Sequence, residues 1–270
     1  MFGSKLNYES HFFIFDSIRN RGCELSGVNS IEIGYRNAAT TTNLLGYEKG
    51  VTTIGGPTSQ EISLNWNLIY NDPVIPYTGA NHIITGSFNY DNNASYGFNS
   101  GYLSSYSVNC AVGSIPKVNA SLVVYDELRS GVNASGIETK NVFIPSQGSI
   151  TATCDNTTTN RVVGFDYSLE VVRKPYYTLG SETPVEVKYI PPIKYTATVQ
   201  LEVDDVFLES GYSFLTAGKE EKTVSFSIKS RDQTVTMQSL TIPKASLVSE
   251  ELSASADGSV RLTLNYVGHS

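Results

Sequence analysis

Three histidines, three cysteines and one acidic run are the residues of this chain that chemistry would call on first. His11, His82 and His269 lie far apart and show no metal-ligand spacing. His82 follows Asn81, and a turn accounts for it better than an acid–base role. Cys23, Cys110 and Cys154 are odd in number and make no CxxC pair, so neither a zinc site nor a disulfide framework is indicated. They read as isolated thiols on or near β-surfaces. Glu202, Asp204, Asp205 and Glu209 have the oxygen-rich character that suits Ca²⁺ or paired carboxylates. No EF-hand spacing accompanies them, and a solvated loop or helix start is the simpler reading. Glu220 and Glu221, between Lys219 and Lys222, read as a solvated turn. The chain contains no GxSxG elbow, no Walker-type phosphate loop and no GxGxxG leading into a helix. No catalytic residue, cofactor or metal ligand is expected, and the chain is not expected to be an enzyme.

The elements that would carry any site are strands. Of 270 residues, 40% are hydrophobic and 17% charged, and the 17 tyrosines with abundant Thr, Ser, Asn and Val suit pleated, half-buried surfaces rather than helices. The reading is all-β, as two tandem β-sandwich or small-barrel domains of similar topology with at most one short helix, at 204–215. The formal net charge of -7 argues against gripping nucleic acid by its phosphates, which needs clustered Lys and Arg. An acidic surface repels the DNA backbone, which suits a conduit. The apolar run 11–15 is too short for a secretory core or a membrane span, so a soluble chain made in a reducing cytoplasm is expected. Asn-x-Ser/Thr triplets at Asn93, Asn119, Asn133 and Asn156 match glycosylation acceptors, but Asn, Ser and Thr are common enough here for chance to supply them.

Along the chain, 1–26 reads as an arm whose Phe12, Phe13 and Phe15 need cover from their own domain or from a neighbouring subunit. A first β-domain is placed at 27–130 and a second at 131–270, with a weak junction at 129–136. In the first, strands are expected at 30–35, 61–69, 83–90, 102–112 and 118–125. The strict alternation of Ile62, Leu64, Trp66 and Leu68 is the strongest periodicity. Segments 50–59 and 91–101 read as surface loops. In the second, strands are expected at 140–144, 149–154, 161–172, 185–190, 194–203, 222–228, 234–242, 247–254 and 259–267, with a hairpin turn at Asp257-Gly258. The halves also read as a repeat. Leu64 to Leu68 overlays Phe165 to Leu169, so that Trp66 meets Tyr167, and each half carries an Ile-Pro-Lys, at 115–117 and 242–244.

The segments 105–122 and 240–264, each carrying its Ile-Pro-Lys within a β-rich stretch, resemble those of the tail tube proteins of long-tailed bacteriophages. In that family comparable segments combine an inner strand, a loop and a closing hairpin. The resemblance implies sheets joined edge to edge around a lumen, and for a duplicated chain a trimeric ring equivalent to the usual hexamer. It implies stacked rings in the virion tail, assembled in the host cytoplasm, with other tail proteins as partners and DNA passing through without specific binding or any membrane role. Phe12, Phe13, Phe15, Tyr96 and Tyr102 are the candidate self-assembly residues. A baseplate or fibre β-module that binds host carbohydrate or neighbouring tail proteins is the alternative. The tyrosines 47, 70, 77, 90, 96, 102 and 106 have the texture of a sugar-stacking surface. A tandem adhesin of immunoglobulin-like type would need an export signal.

Overall fold

The computed structural model describes residues 11–16, 21–36, 39–42, 51–54, 59–69, 71–78, 82–91, 94–126, 128–130, 148–154, 157–203, 220–254 and 260–270. The first half supplies β1 (His11–Asp16), β2 (Arg21–Glu24), β3 (Val28–Arg36), β4 (Ala39–Thr42), β5 (Val51–Ile54) and β6 (Ser59–Asn67). After a 3-10 turn at Ile75–Thr78 come β7 (Ile84–Asp91), β8 (Ala94–Ala111), β9 (Lys117–Val124) and β10 (Arg129–Ser130). The second half supplies β11 (Ile150–Cys154), β12 (Thr157–Thr159), β13 (Val162–Tyr176), β14 (Glu186–Val203), β15 (Lys222–Lys229), β16 (Thr236–Ala254) and β17 (Val260–His269). The chain is all-β: β4 and β5 pair with each other, and the rest form one 15-stranded antiparallel sheet.

The pairing order is stated twice. The path β2–β1–β7–β8, continued from the far part of β8 as β8–β9–β6–β3, recurs as β12–β11–β15–β16 and β16–β17–β14–β13. Two of the ladder irregularities recur as well. The shift between Val28 and Ser30 in β3–β6 returns between Val162 and Gly164 in β13–β14, and that between Leu103 and Ser105 in β8–β9 returns between Leu247 and Ser249 in β16–β17. A bulge is a specified feature of a strand pair, so matched bulges fix the correspondence residue by residue.

Each half is folded into two layers by one bent strand. β8 pairs β7 from Ala94 to Gly101 and then β9 from Gly101 to Asn109. β16 likewise pairs β15 up to Ala245 and β17 from Lys244 onward. Across the layers of the second half, Phe165 of β13 stacks on Phe226 of β15 with centroids 4.8 Å apart. The halves then join through β8 and β13, paired from Ser105↔Glu170 to Ala111↔Gly164. One buried cluster runs from Phe12 through Trp66, Tyr106 and Tyr167 to Tyr266.

Several expectations are corrected. The stretch placed in an N-terminal arm contributes β1, an interior strand between β7 and β2, with Phe12, Phe13 and Ile14 all buried. A continuous apolar run is what a strand covered on both faces requires. The segment 91–101, composed like a loop, forms the first part of β8 from Ala94, where the Phe98 ring lies over Gly86 and Gly101. The strands expected at 185–190 and 194–203 are one strand, β14, and those at 234–242 and 247–254 are one strand, β16. The overlay of Trp66 on Tyr167 also falls, because β6 corresponds to β14 and β13 corresponds to β3. The Ile-Pro-Lys segments are not equivalent either: one leads into β9 and the other lies inside β16. Strand alternation has a period of two, so any two strands can be overlaid, and long-range pairing decides which match. The expected strand at 140–144, the helix at 204–215 and the turn at 257–258 lie outside the described residues, although the strands flanking that turn do pair, from Ala254↔Val260.

Candidate assembly surface

The join between the halves builds one unbroken layer, β3–β6–β9–β8–β13–β14–β17–β16. Alternation sends its apolar residues to the core and leaves the other face to Asn, Ser and Thr. Those side chains bond across strands. Asn29 donates to Asn65 at 3.0 Å and to Asn67 at 3.2 Å, Asn65 donates to Asn119 at 2.5 Å, and Asn119 reaches Ser107 at 3.5 Å. Across the join Asn109 donates to Asp166 at 2.5 Å, and beyond it Ser168 meets Thr196 at 2.6 Å. Thr198 donates to Asn265 at 2.7 Å, and Asn265 in turn to Ser249 at 2.7 Å. Two cations of this face stand beside carboxylates in register, Lys194 opposite Glu170 and Arg261 opposite Glu202, while Lys117 stands opposite Asn67 and Asn109. The face also carries Glu32, Glu61, Asp166 and Glu251, so it is polar and net acidic, without a cluster of positive charge among the described residues.

The margins of this layer are open among the described residues. Among the described residues β3 pairs β6 alone, and the 249–254 part of β16 pairs β17 alone. Each margin turns a row of backbone N–H and C=O groups outward, the arrangement that invites another strand. Core-facing side chains reach these margins without cover. Ile33, opposite Ile62, is 39% exposed, Tyr35, opposite Gln60, is 60% exposed, and Leu252, opposite Leu262, is 66% exposed.

Where the halves meet, the polar groups are internal. The Tyr106 hydroxyl donates to Asp72 Oδ2, Asp72 Oδ1 accepts the Val74 N–H at 2.7 Å, and Gln238 Nε2 donates to the Tyr106 oxygen at 3.1 Å. All three residues are buried. Burial pushes the Asp72 carboxyl up to about 6 and holds the Tyr106 phenol well above its ordinary value, aided by the Asp72 charge. Nearby, Arg173 lies over the rings of Tyr102 and Tyr189, 5.7 and 5.8 Å from their centroids, and its Nε donates to the Leu103 carbonyl at 3.4 Å. This fastens the β13–β14 hairpin onto β8. Cys110 is buried and its thiol is pushed up to about 12, which makes it a packing residue.

The structure does not bring the sequence-derived assembly candidates onto one surface. Phe12 and Phe13 are consumed by the chain's own core, Phe12 lying 6.4 Å from Phe98. The Phe15 side chain lies outside the described residues, although its backbone pairs in β1. Tyr102 is buried against Tyr125 and Arg173, while Tyr96 is 45% exposed on β8. Ile33, Tyr35 and Leu252 were missed. Their alternation marked strands, but nothing local tells an edge strand from a central one. Comparison with protein families returns no match to this chain. Comparison with curated proteins returns none either.

Proposed function

We propose that this chain is a virion structural protein that assembles with copies of itself into rings, which stack as the tail tube of a bacteriophage and form a conduit for DNA. The observation that carries the reading is the continuous layer from β3 to β16, open at both margins and faced with hydrogen-bonded Asn, Ser and Thr. An open margin is a liability in a monomer and is satisfied at once when identical neighbours complete it. A net acidic face with no basic cluster among the described residues offers DNA no phosphate clamp, so a polymer can slide past it. The formal charge of -7 over the whole chain acts in the same direction. The 105–122 and 240–264 segments, whose Ile-Pro-Lys residues are not equivalent, share a hairpin, β8–β9 and β16–β17, and their resemblance to tail tube proteins on that ground supports the choice of a tail over other assemblies. In this reading the chain performs no catalysis.

Negative-stain electron microscopy of the purified protein tests it. Rings or tubes with a central channel are the expected result. Monomers at high concentration in every buffer would overturn it.

A further inference from the structure

The chain contains a worked example of how one of its halves joins another. Within it, the outer edge of β8 pairs with β13. By the duplicated topology β8 corresponds to β16 and β13 corresponds to β3. Repeating the step that carries the first half onto the second therefore places the open edge of β16 against the open edge of a β3, and the only β3 in reach of that step belongs to another copy. We propose that residues 249–254 of β16 pair antiparallel with residues 31–36 of β3 in a second copy of this chain, in the register by which β8 pairs β13. This deepens the self-assembly reading and rests on it.

The matched ladder shifts set that register without free choice. They place Ser249, Glu250, Leu252 and Ala254 where β8 has Ser105, Tyr106, Val108 and Cys110. They place Ile31, Ile33 and Tyr35 where β13 has Phe165, Tyr167 and Leu169. Inside the chain Val108 faces Tyr167, Cys110 faces Phe165 and Tyr106 faces Leu169, and all six are buried. The corresponding pairs between copies are Leu252 with Ile33, Ala254 with Ile31, and Glu250 with Tyr35. The exposed apolar side chains at the two margins thus meet each other, on the face that continues the core. Glu250 gives an independent sign: its Oε2 is enclosed without a hydrogen-bond partner. The proposed register sets it beside the phenol of Tyr35. The polar face continues as well, with Ser253 opposite Glu32 as Asn109 is opposite Asp166. The contact is head to tail, so each copy offers one edge of each kind, and the series closes into a ring or runs on as a helix.

Cross-linking in a chain carrying Cys23→Ser and Cys154→Ser tests the joint. Copies with Ile33→Cys mixed with copies with Leu252→Cys, treated with a short bis-maleimide, are expected to give covalent dimers, and the double variant a ladder of higher multimers. Either single variant alone should give neither, because a head-to-tail joint never sets a residue against itself. Leu252→Lys, at an exposed position, should leave the thermal unfolding temperature unchanged when both chains are compared at a dilution where each is monomeric, and should abolish the multimers seen by sedimentation velocity at high concentration. Rings that form without this cross-link, or that survive Leu252→Lys, would overturn the joint while leaving the tube reading standing. A chain that stays monomeric at every concentration would overturn both.

Discussion

At Asp72 a carboxyl is held away from water and supported by few donors, the Val74 amide and the Tyr106 hydroxyl among them. Its titration runs from an ordinary 3.8 to about 6, and desolvation is the main cause. The protonated form is therefore favoured by folding: the stability it contributes is complete below about pH 3.8 and is lost as pH rises through about 6. A displacement of that size corresponds to about 3 kcal/mol. Asp72→Asn keeps an oxygen for the Val74 N–H and cannot ionise, so urea unfolding measured at about pH 4 and pH 7 should show a smaller loss of stability in the variant than in the parent chain. Tyr106→Phe removes the hydroxyl shared by Asp72 and Gln238, and should cost about 1–3 kcal/mol at pH 7. Cys110 offers a simpler check. Its thiol, buried and pushed up to about 12, should resist a thiol reagent at pH 8 until the protein is unfolded.

The elements were legible in part, and prolines show where legibility ended. Pro243 and the Pro191-Pro192 pair read as strand ends, because proline removes a ladder donor. In the fold the strands run through them, since each lies at a break in the ladder. Pro191 and Pro192 fall between the pairs Val172↔Ile190 and Glu170↔Lys194, and Pro243 falls where β16 leaves β15 for β17. The break costs nothing extra where the ladder is already interrupted. The alternation around Trp66 named β6 correctly for the same local reason: its partners on both sides bury every second residue. What could not be read was which strand pairs with which, and with it the margins. The two bends pose one steric problem and meet it with glycine at different places. A Cβ on Gly101 would come within 2.6 Å of the Phe98 ring, and one on Gly268 within 2.3 Å of the Ile242 side chain and 2.5 Å of the Lys244 carbonyl oxygen. A ring can tilt and a backbone carbonyl in a ladder cannot. Gly268→Ala should accordingly lower the urea midpoint more than Gly101→Ala, with a cost of about 1–3 kcal/mol.

Across the whole molecule, charge and shape oppose each other. In the proposed assembly, copies carrying a formal charge of -7 repel while their margins pair, so screening should favour assembly. Light scattering at fixed protein concentration is expected to rise as salt goes from about 0.02 to 0.2 M, over which the screening length shortens severalfold. A fall would point to ion pairs as the dominant contact. The seam between β8 and β13 adds one more consequence. Because a single polypeptide spans it, that seam exists at any dilution, whereas a seam between chains is lost below its dissociation constant. In the proposed assembly half of the joints are thereby exempt from mass action, and breakage under force or dilution is confined to the remainder.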